Sequence, residues 1–167
     1  MFVLALDPSL SSTGYAVIES PSMALIYRGR ITSSDKLSTD DRIQLILKQL
    51  QEIYKAVPDI SIIALEDGYV GANYQSSLKL AQLRGALIAY FKYQGKIVTH
   101  QMPKEIRKNF GLSGAAKKDI VANEVLKYYP YLINDIGPYS DKQNKQKTSD
   151  IYDAISIGLS YIINLKE

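Results

Sequence analysis

Cysteine and tryptophan are absent from the 167 residues, and histidine occurs once, at His100. Without cysteine the chain has no disulfide, no thiolate zinc site and no cysteine nucleophile. A single histidine makes a histidine-rich metal centre or a Ser-His-Asp triad unexpected. Any chemistry therefore has to rely on carboxylates, hydroxyls, amines and aromatic rings.

Long hydrophobic runs are also absent, since no stretch reaches 18 apolar residues, and we expect no membrane span. The first apolar run has no basic region ahead of it and stops at Asp7, so we expect no signal peptide and a cytoplasmic location. The composition, with 46% hydrophobic and 22% charged residues, is typical of a globular protein. The length predicts one domain over residues 1–167.

Positive charge is concentrated in the middle of the chain, although the net charge is only +3. Between Tyr74 and Lys108 there is one acidic residue, Glu105. The basic residues of this stretch are Lys79, Arg84, Lys92, Lys96, Lys104, Arg107 and Lys108. A basic surface of this kind attracts polyanions, but solvated helix faces would give the same pattern, so charge alone does not decide between them.

The order of apolar runs and turn residues predicts an α/β protein. Short apolar runs predict strands at residues 2–6, 15–18, 24–28, 60–65 and 96–99. Helical periodicity and breakers predict helices at residues 38–57, 75–94, 103–110, 117–129 and 150–164, with a long loop at 133–148. This order favours a five-stranded mixed sheet, three antiparallel strands followed by parallel ones, flanked by helices.

Two buried runs end on a carboxylate: FVLAL stops at Asp7 and SIIAL stops at Glu66. The carboxyl ends of parallel strands meet at one edge of a sheet, where sites in open α/β sheets are found. Asp150 and Asp153 start the last helix, and their i, i+3 spacing puts both on one face. We therefore predict that three distant segments bring four carboxylates together.

Clustered carboxylates raise one another's pKa, and a hard divalent cation relieves this repulsion. The prediction is a Mg²⁺ site, with Mn²⁺ as a substitute, in which two ions about 3.5–4 Å apart assist hydrolysis of a phosphodiester. Each acid considered alone also has a purely structural explanation. Asp7 could be a turn residue, Glu66 could be a solvent-facing strand end, and Asp150 could be a helix-start residue. Asp153 lies deeper in an apolar helix, where an unpaired carboxylate is costly, and the combination carries the prediction.

Three blocks of the chain resemble one known family. They are DPSLSSTGYAVI, ALEDGYVGANYQSSLKLAQLRGALIAY and DIYDAISIGLSYI. In this order and spacing they are similar to the blocks of RuvC-type Holliday junction resolvases, which have the ribonuclease H-like fold. The resemblance extends over nearly the whole chain, and its middle block is the most specific.

The resemblance implies a metal-dependent endonuclease that acts on branched DNA as a homodimer, nicks two strands symmetrically and leaves 5′-phosphates. It places the catalytic acids at Asp7, Glu66, Asp150 and Asp153. It also implies that Tyr69 packs on bases near the junction, that Arg107 and Lys118 lie near DNA phosphate, and that the helix over residues 75–94 carries the dimer interface. From the residues themselves we add Tyr74, an aromatic flanking the carboxylate strand end, and Lys117, next to Lys118, as DNA-binding candidates.

Two features depart from the usual pattern of that family. The usual Asp-Pro-Gly is Asp7-Pro8-Ser9 here, and the polar segment 133–148 is longer than expected. Both features resemble the phage-encoded branch of the family. They suggest that forks and flaps are cut as well as four-way junctions.

Two other classes of protein stay open on the sequence alone. One is a non-catalytic module of the same fold that binds branched DNA. The other is a phosphotransferase or ATPase of the actin and sugar-kinase type, whose phosphate loop also follows a strand. That loop would need glycine two residues after Asp7, where this chain has Ser9.

Overall fold

The structure, a computed structural model, describes residues 1–67, 73–142 and 147–165. It contains a five-stranded sheet in the order β3-β2-β1-β4-β5. The strands are β1 (Phe2–Asp7), β2 (Ser12–Glu19), β3 (Leu25–Thr32), β4 (Ile60–Glu66) and β5 (Ile97–Gln101). β1, β2 and β3 are antiparallel, whereas β4 is parallel to β1 and β5 is parallel to β4. The predicted mixed sheet is confirmed.

Helices cover both faces of the sheet. They are α1 (Thr39–Ala56), α2 (Tyr74–Tyr93), α3 (Pro103–Asn109), α4 (Lys118–Tyr128), α5 (Leu132–Asp135) and α6 (Ser149–Asn164). The expectation of a loop from residue 133 is wrong at its start, because α5 forms one helical turn there. Leu132 in α5 is fully buried, and its burial stabilises this helical turn. The polar residues that follow Leu132 gave no indication of a helix.

The sheet separates two hydrophobic cores. Val3 and Ala5 face the core below α6, whereas Leu4 and Leu6 face the core below α1 and α2. All four side chains are fully buried, because β1 lies in the middle of the sheet with helices on both sides. This explains why β1 reads as a continuous apolar run rather than an alternating one.

Two glycines allow α6 to lie unusually close to the sheet. A Cβ at Gly158 would come within 2.8 Å of Ile18 Cδ1 and 3.1 Å of Ala5 Cβ. A Cβ at Gly14 would lie 1.9 Å from the carbonyl oxygen of Asp150. Since Gly14 pairs with Asp7 in the β1–β2 register, this approach brings the first turn of α6 to the end of β1.

We expect Gly14→Ala to destabilise the protein by about 2 kcal/mol or more, because its Cβ would meet backbone that cannot rotate away. Urea unfolding followed by circular dichroism measures this loss. Gly114→Ala is the matched control, because the nearest atom to its Cβ would be Lys104 Cβ at an ordinary 3.5 Å. Equal stability of the two variants would contradict the close approach of α6.

Candidate active site

Two carboxylates project from neighbouring strand ends. Asp7 is the last residue of β1 and Glu66 is the last residue of β4. The parallel register pairs Leu6 with Leu65, so the two acids follow adjacent positions at one edge of the sheet. Both line an open cavity of about 250 Å³, together with the cationic side chains Arg84, Arg107 and Lys118.

Asp153 reaches the same place from α6. Its side chain is 13% exposed and forms an ion pair with Lys118, the first residue of α4. Asp153 and Lys118 line a small cleft that also contains Glu66 and Arg107. Strand ends and the start of α6 therefore converge as the sequence predicts for Asp7, Glu66 and Asp153.

Burial and mutual repulsion make these carboxylates hard to ionise. Burial first, then the charges of Asp153 and Glu66, raise the pKa of Asp7 well above its ordinary value. Burial also raises the pKa of Glu66 and of Asp153, although Lys118 acts to lower both. The folded protein therefore holds a site that attracts protons or other cations.

Lys118 is a cation in direct contact with this cluster, through its ion pair with Asp153. Burial acts to lower its pKa, but Asp153, Asp7 and Glu66 outweigh burial, so the pKa of Lys118 is raised and its ammonium form is favoured. The side chain is half exposed, which leaves part of the ammonium group open to a ligand in the cavity. Lys118 therefore balances part of the negative charge of the carboxylates and leaves the cavity open.

Asp150 lies in a different environment from the other three acids. It is 5% exposed, and its two carboxylate oxygens face two different partners. Lys147 Nζ lies 2.7 Å from Oδ1, and the hydroxyl of Ser12 donates to Oδ2 over 2.5 Å. Of the three acids that raise the pKa of Asp7, Asp150 has the weakest effect, whereas it is the first of the acids that raise the pKa of Asp153. In this conformation Asp150 borders the cluster.

The oxygen-only donor set has the chemistry that Mg²⁺ or Mn²⁺ prefers. Within residues 1–67, 73–142 and 147–165, however, no three acidic or histidine side chains converge closely enough to form a ready metal-ligand set. The ammonium group of Lys118 already pairs with Asp153. The residues fit a divalent cation by chemistry and by their unrelieved repulsion, and binding would draw the carboxylates together.

Basic side chains continue from the cluster along the surface. A cavity of about 670 Å³ is lined by four cationic side chains and two acidic ones: Arg107, Lys117, Lys118, Lys142, Asp119 and Asp141. The guanidinium of Arg107 is held in place because its Nε donates to the carbonyl of Ala116 over 2.7 Å. Three predicted DNA-binding cations therefore lie beside the predicted catalytic acids.

The two predicted aromatic contacts have different outcomes. Tyr69 lies outside the described residues. Tyr74 is the first residue of α2, and its side chain is 71% exposed, so its ring is open to a partner. Its role as a DNA contact stays a prediction.

Sequence reasoning missed a network around Asp67. Asp67 pairs with Arg84 of α2, and the same carboxylate oxygen lies 3.3 Å from His100 Nδ1 of β5. The backbone N–H of Asp67 donates to Gln101 over 2.8 Å, which ties the end of β4 to β5. This network fixes the backbone next to Glu66. The sequence did show an acid, Asp67, directly after Glu66. It did not show the partners of Asp67, because they are 17 and 33 residues away along the chain.

Comparison with known proteins assigns the chain to a family. The family model described as crossover junction endodeoxyribonuclease RuvC matches residues 3–161. A relative of that name from Prosthecochloris aestuarii is 32% identical over 161 residues, covering 95% of this chain and 80% of the relative. The relative from Neorickettsia sennetsu is 29% identical, covering 94% and 90%. The chain belongs to the RuvC family, as the resemblance predicted.

Solved structures agree at the level of the fold. The structure of Thermus thermophilus RuvC with a Holliday junction substrate has a TM-score of 0.78 at 16% identity, with 99% of this chain and 96% of that chain covered. The fowlpox virus Holliday junction resolvase has a TM-score of 0.57 at 17% identity, with 99% of each chain covered. Over the described residues, no helix is both long and apolar enough to span a membrane. A phage origin stays a prediction.

We expect Asp7→Asn to raise the thermal stability of the protein in EDTA. Because the pKa of Asp7 is raised on folding, the folded state binds its proton more tightly than the unfolded chain. Stability in EDTA is therefore higher at acid pH and falls as the pH rises through the folded pKa. The amide removes this cost, and we expect the Tm at neutral pH to rise by about 2 °C or more.

Differential scanning fluorimetry between pH 4 and 8 measures both effects. Asp35→Asn is the control, because Asp35 is exposed and lines none of the cavities around the cluster. A lower Tm for Asp7→Asn than for the wild type at neutral pH, with Asp35→Asn unchanged, would contradict a repulsive cluster.

Proposed function

We propose that this RuvC-family chain is a metal-dependent endonuclease that hydrolyses phosphodiester bonds in branched DNA, Holliday junctions above all. One observation carries the proposal: Asp7 and Glu66 line one cavity, Glu66 and Asp153 line a second cleft, and the cations Arg107 and Lys118 line both. Carboxylates alone would repel DNA, whereas carboxylates beside cations suit a phosphodiester that is to be cut. Membership of a family of metal-dependent nucleases supports the same conclusion.

The metal site consists of Asp7, Glu66, Asp150 and Asp153, with Mg²⁺ as the expected ion, Mn²⁺ as its substitute and two ions per site. When bound, the ions supply an activated water and stabilisation of the leaving oxygen. The acidic side chains hold the ions and orient the site. Asp150 would have to exchange its contacts with Ser12 and Lys147 for the ions.

The basic side chains hold the DNA. Arg107, fixed at its Nε, presents its remaining N–H groups to a phosphate, which suits its planar fork. Lys118, favoured as ammonium, balances negative charge beside the scissile phosphate. Lys117 extends this basic surface, and the rings of Tyr69 and Tyr74 offer stacking platforms for bases unpaired at a branch point.

A homodimer is the expected assembly, because two symmetric nicks need two sites. The described part of α2 carries apolar side chains left exposed in the single chain, with Tyr74 71%, Leu78 43% and Tyr93 89% exposed. Such side chains favour contact with a partner. The similar structures, RuvC with a Holliday junction substrate and a Holliday junction resolvase, support the junction as substrate. A cytoplasmic location is part of the same proposal, because the DNA substrate has to be accessible there.

We expect purified protein to nick synthetic four-way junctions with Mg²⁺ or Mn²⁺, leaving 5′-phosphates, and to cut three-way and flap DNA more slowly. Asp7→Asn and Glu66→Gln should each lower the rate by at least about a hundredfold, because each removes an anionic ligand. Binding of the junction should survive, since the basic side chains are intact. Denaturing gels of end-labelled strands measure cleavage, and gel shifts in EDTA measure binding.

Glu52→Gln provides a matched control, because it removes an exposed carboxylate on α1 that is not part of the site. Cleavage by Asp7→Asn at the rate of Glu52→Gln would contradict the assignment of the metal site. A wild-type chain that shifts junctions but cuts none with any divalent metal would favour the non-catalytic module.

A dimer is tested separately. We expect sedimentation at micromolar concentration to give about twice the 18.7 kDa mass of the chain. A cruciform plasmid should then be linearised by paired nicks within one binding event. A monomer that releases singly nicked circles would contradict the symmetric mechanism but not the nuclease assignment.

A further inference from the structure

A second cavity adjoins the candidate active site on the side of α1 and α2. We call it the serine cleft, and its volume is about 360 Å³. It is lined by Pro8, Ser9, Leu10, Ser11, Arg42, Ser76, Lys79 and Leu80. Pro8 and Leu80 also line the cavity that contains Asp7 and Glu66, so the two cavities share a wall.

The lining of the serine cleft suits an anion. Among the described residues its lining contains two cations, Arg42 and Lys79, three serine hydroxyls and no acidic residue. Neither cation belongs to an ion pair among the described residues, whereas Arg84, Lys118 and Lys147 near the active site all do. Hydrogen-bond donors without a carboxylate partner are the groups that recognise a phosphate oxygen.

Arg42 is held in position before any ligand arrives. Its Nε donates to Ser33 Oγ over 2.8 Å, and that hydroxyl donates to the carbonyl of Leu10 over 2.5 Å. This relay links α1 to the turn that follows Asp7. With Nε engaged, the remaining N–H groups of the guanidinium are available to the cleft.

The turn itself is held by its own hydrogen bonds. Thr13 Oγ1 accepts from the N–H of Ser9 over 3.3 Å and donates to the carbonyl of Ser9 over 2.7 Å. The hydroxyls of Ser9 and Ser11 lie 3.2 Å apart at the wall of the cleft. Ser9 stands where the usual Asp-Pro-Gly of the family has glycine. It therefore adds a hydroxyl group to the wall of the serine cleft.

We propose that the serine cleft binds a second phosphate of the DNA strand whose scissile phosphate lies at the carboxylate cluster. This inference rests on the proposed function, because it requires DNA at the neighbouring site. Arg42 and Lys79 supply the charge, and the serine hydroxyls supply neutral hydrogen bonds. The phosphate bound there is not cut, since no carboxylate lines the cleft in the part of the chain that the structure describes.

The first test is the salt dependence of junction binding by the full-length chain in EDTA. Loss of one phosphate contact lowers the slope of log K against log salt by about one. We expect this change for Lys79→Gln and a smaller change for Arg42→Lys, which keeps the charge but alters the fork. Lys79 is exposed, so its variant should fold normally.

Lys92→Gln is the matched control, because it removes an exposed lysine from the same helix outside both cavities. The proposal expects this control to keep the wild-type slope. Equal slopes for Lys79→Gln, Lys92→Gln and the wild type would overturn the proposal.

The second test locates the phosphate. Single phosphates of the junction are replaced in turn by neutral methylphosphonates, and binding is measured for wild type and Lys79→Gln. We expect one position away from the cleavage point to weaken wild-type binding by about threefold or more and to weaken binding by Lys79→Gln less, because only Arg42 then supplies charge to that phosphate. Losses that add at every position would overturn the proposal.

The two tests separate this inference from the proposed function. Both measure binding without metal, so they remain informative if the chain proves to be a non-catalytic module. If cleavage follows the proposed function but no methylphosphonate position couples to Lys79, only the serine cleft is wrong. If the coupling is found and no DNA is cut, only the catalytic assignment is wrong.

Discussion

The repulsion among Asp7, Glu66 and Asp153 is the constraint on which the rest of the structure depends. Burial first, and the charges of neighbouring acids second, make ionisation of these carboxylates a cost to the folded state and raise the pKa of all three. Two hydrophobic cores, one on each face of the sheet, offset it. The close approach of α6 over Gly14 holds Asp153 in place even though its charge opposes the arrangement.

Cations around the cluster have two different functions. Lys118 and Lys147 are paired with Asp153 and Asp150, so they compensate acids inside the protein. Arg107, Lys117 and Lys142 have no acidic partner among the described residues and face an open cavity. On the proposed function, this division reconciles an acidic site with a polyanionic substrate, because the unpaired cations are free to attract DNA while Lys118 balances charge at the acids and at the scissile phosphate.

Most of the fold could be predicted from the sequence, and the site only in part. Buried runs ending at Asp7 and Glu66 predicted neighbouring strand ends, because strand order and burial leave a strong local pattern. The turn α5 was missed because one buried leucine, Leu132, outweighs the polar residues after it. Pairs between distant residues leave no such pattern, so the partners of Asp67 were not predictable.

The same reason explains what the sequence left open about the four acids. Spacing put Asp150 and Asp153 on one face of α6, and that is a property of any helix. Their environments differ because Ser12 and Lys147 engage Asp150, whereas Lys118 engages Asp153. Tertiary contacts, which periodicity does not encode, therefore distinguish the member at the border of the cluster from the members at its centre.

The arrangement of cavities suggests how binding and catalysis are divided along a DNA strand. The cavity of the carboxylates shares Arg107 and Lys118 with the cavity that contains Lys117 and Lys142, and it shares Pro8 and Leu80 with the serine cleft. Unpaired cations thus line both of the cavities that adjoin the acids. Cations that bind the phosphates next to the scissile one hold the DNA strand without stabilising the scissile phosphate in its ground state. Interactions at the carboxylates are then free to favour the transition state, which is the condition for accelerating the chemical step.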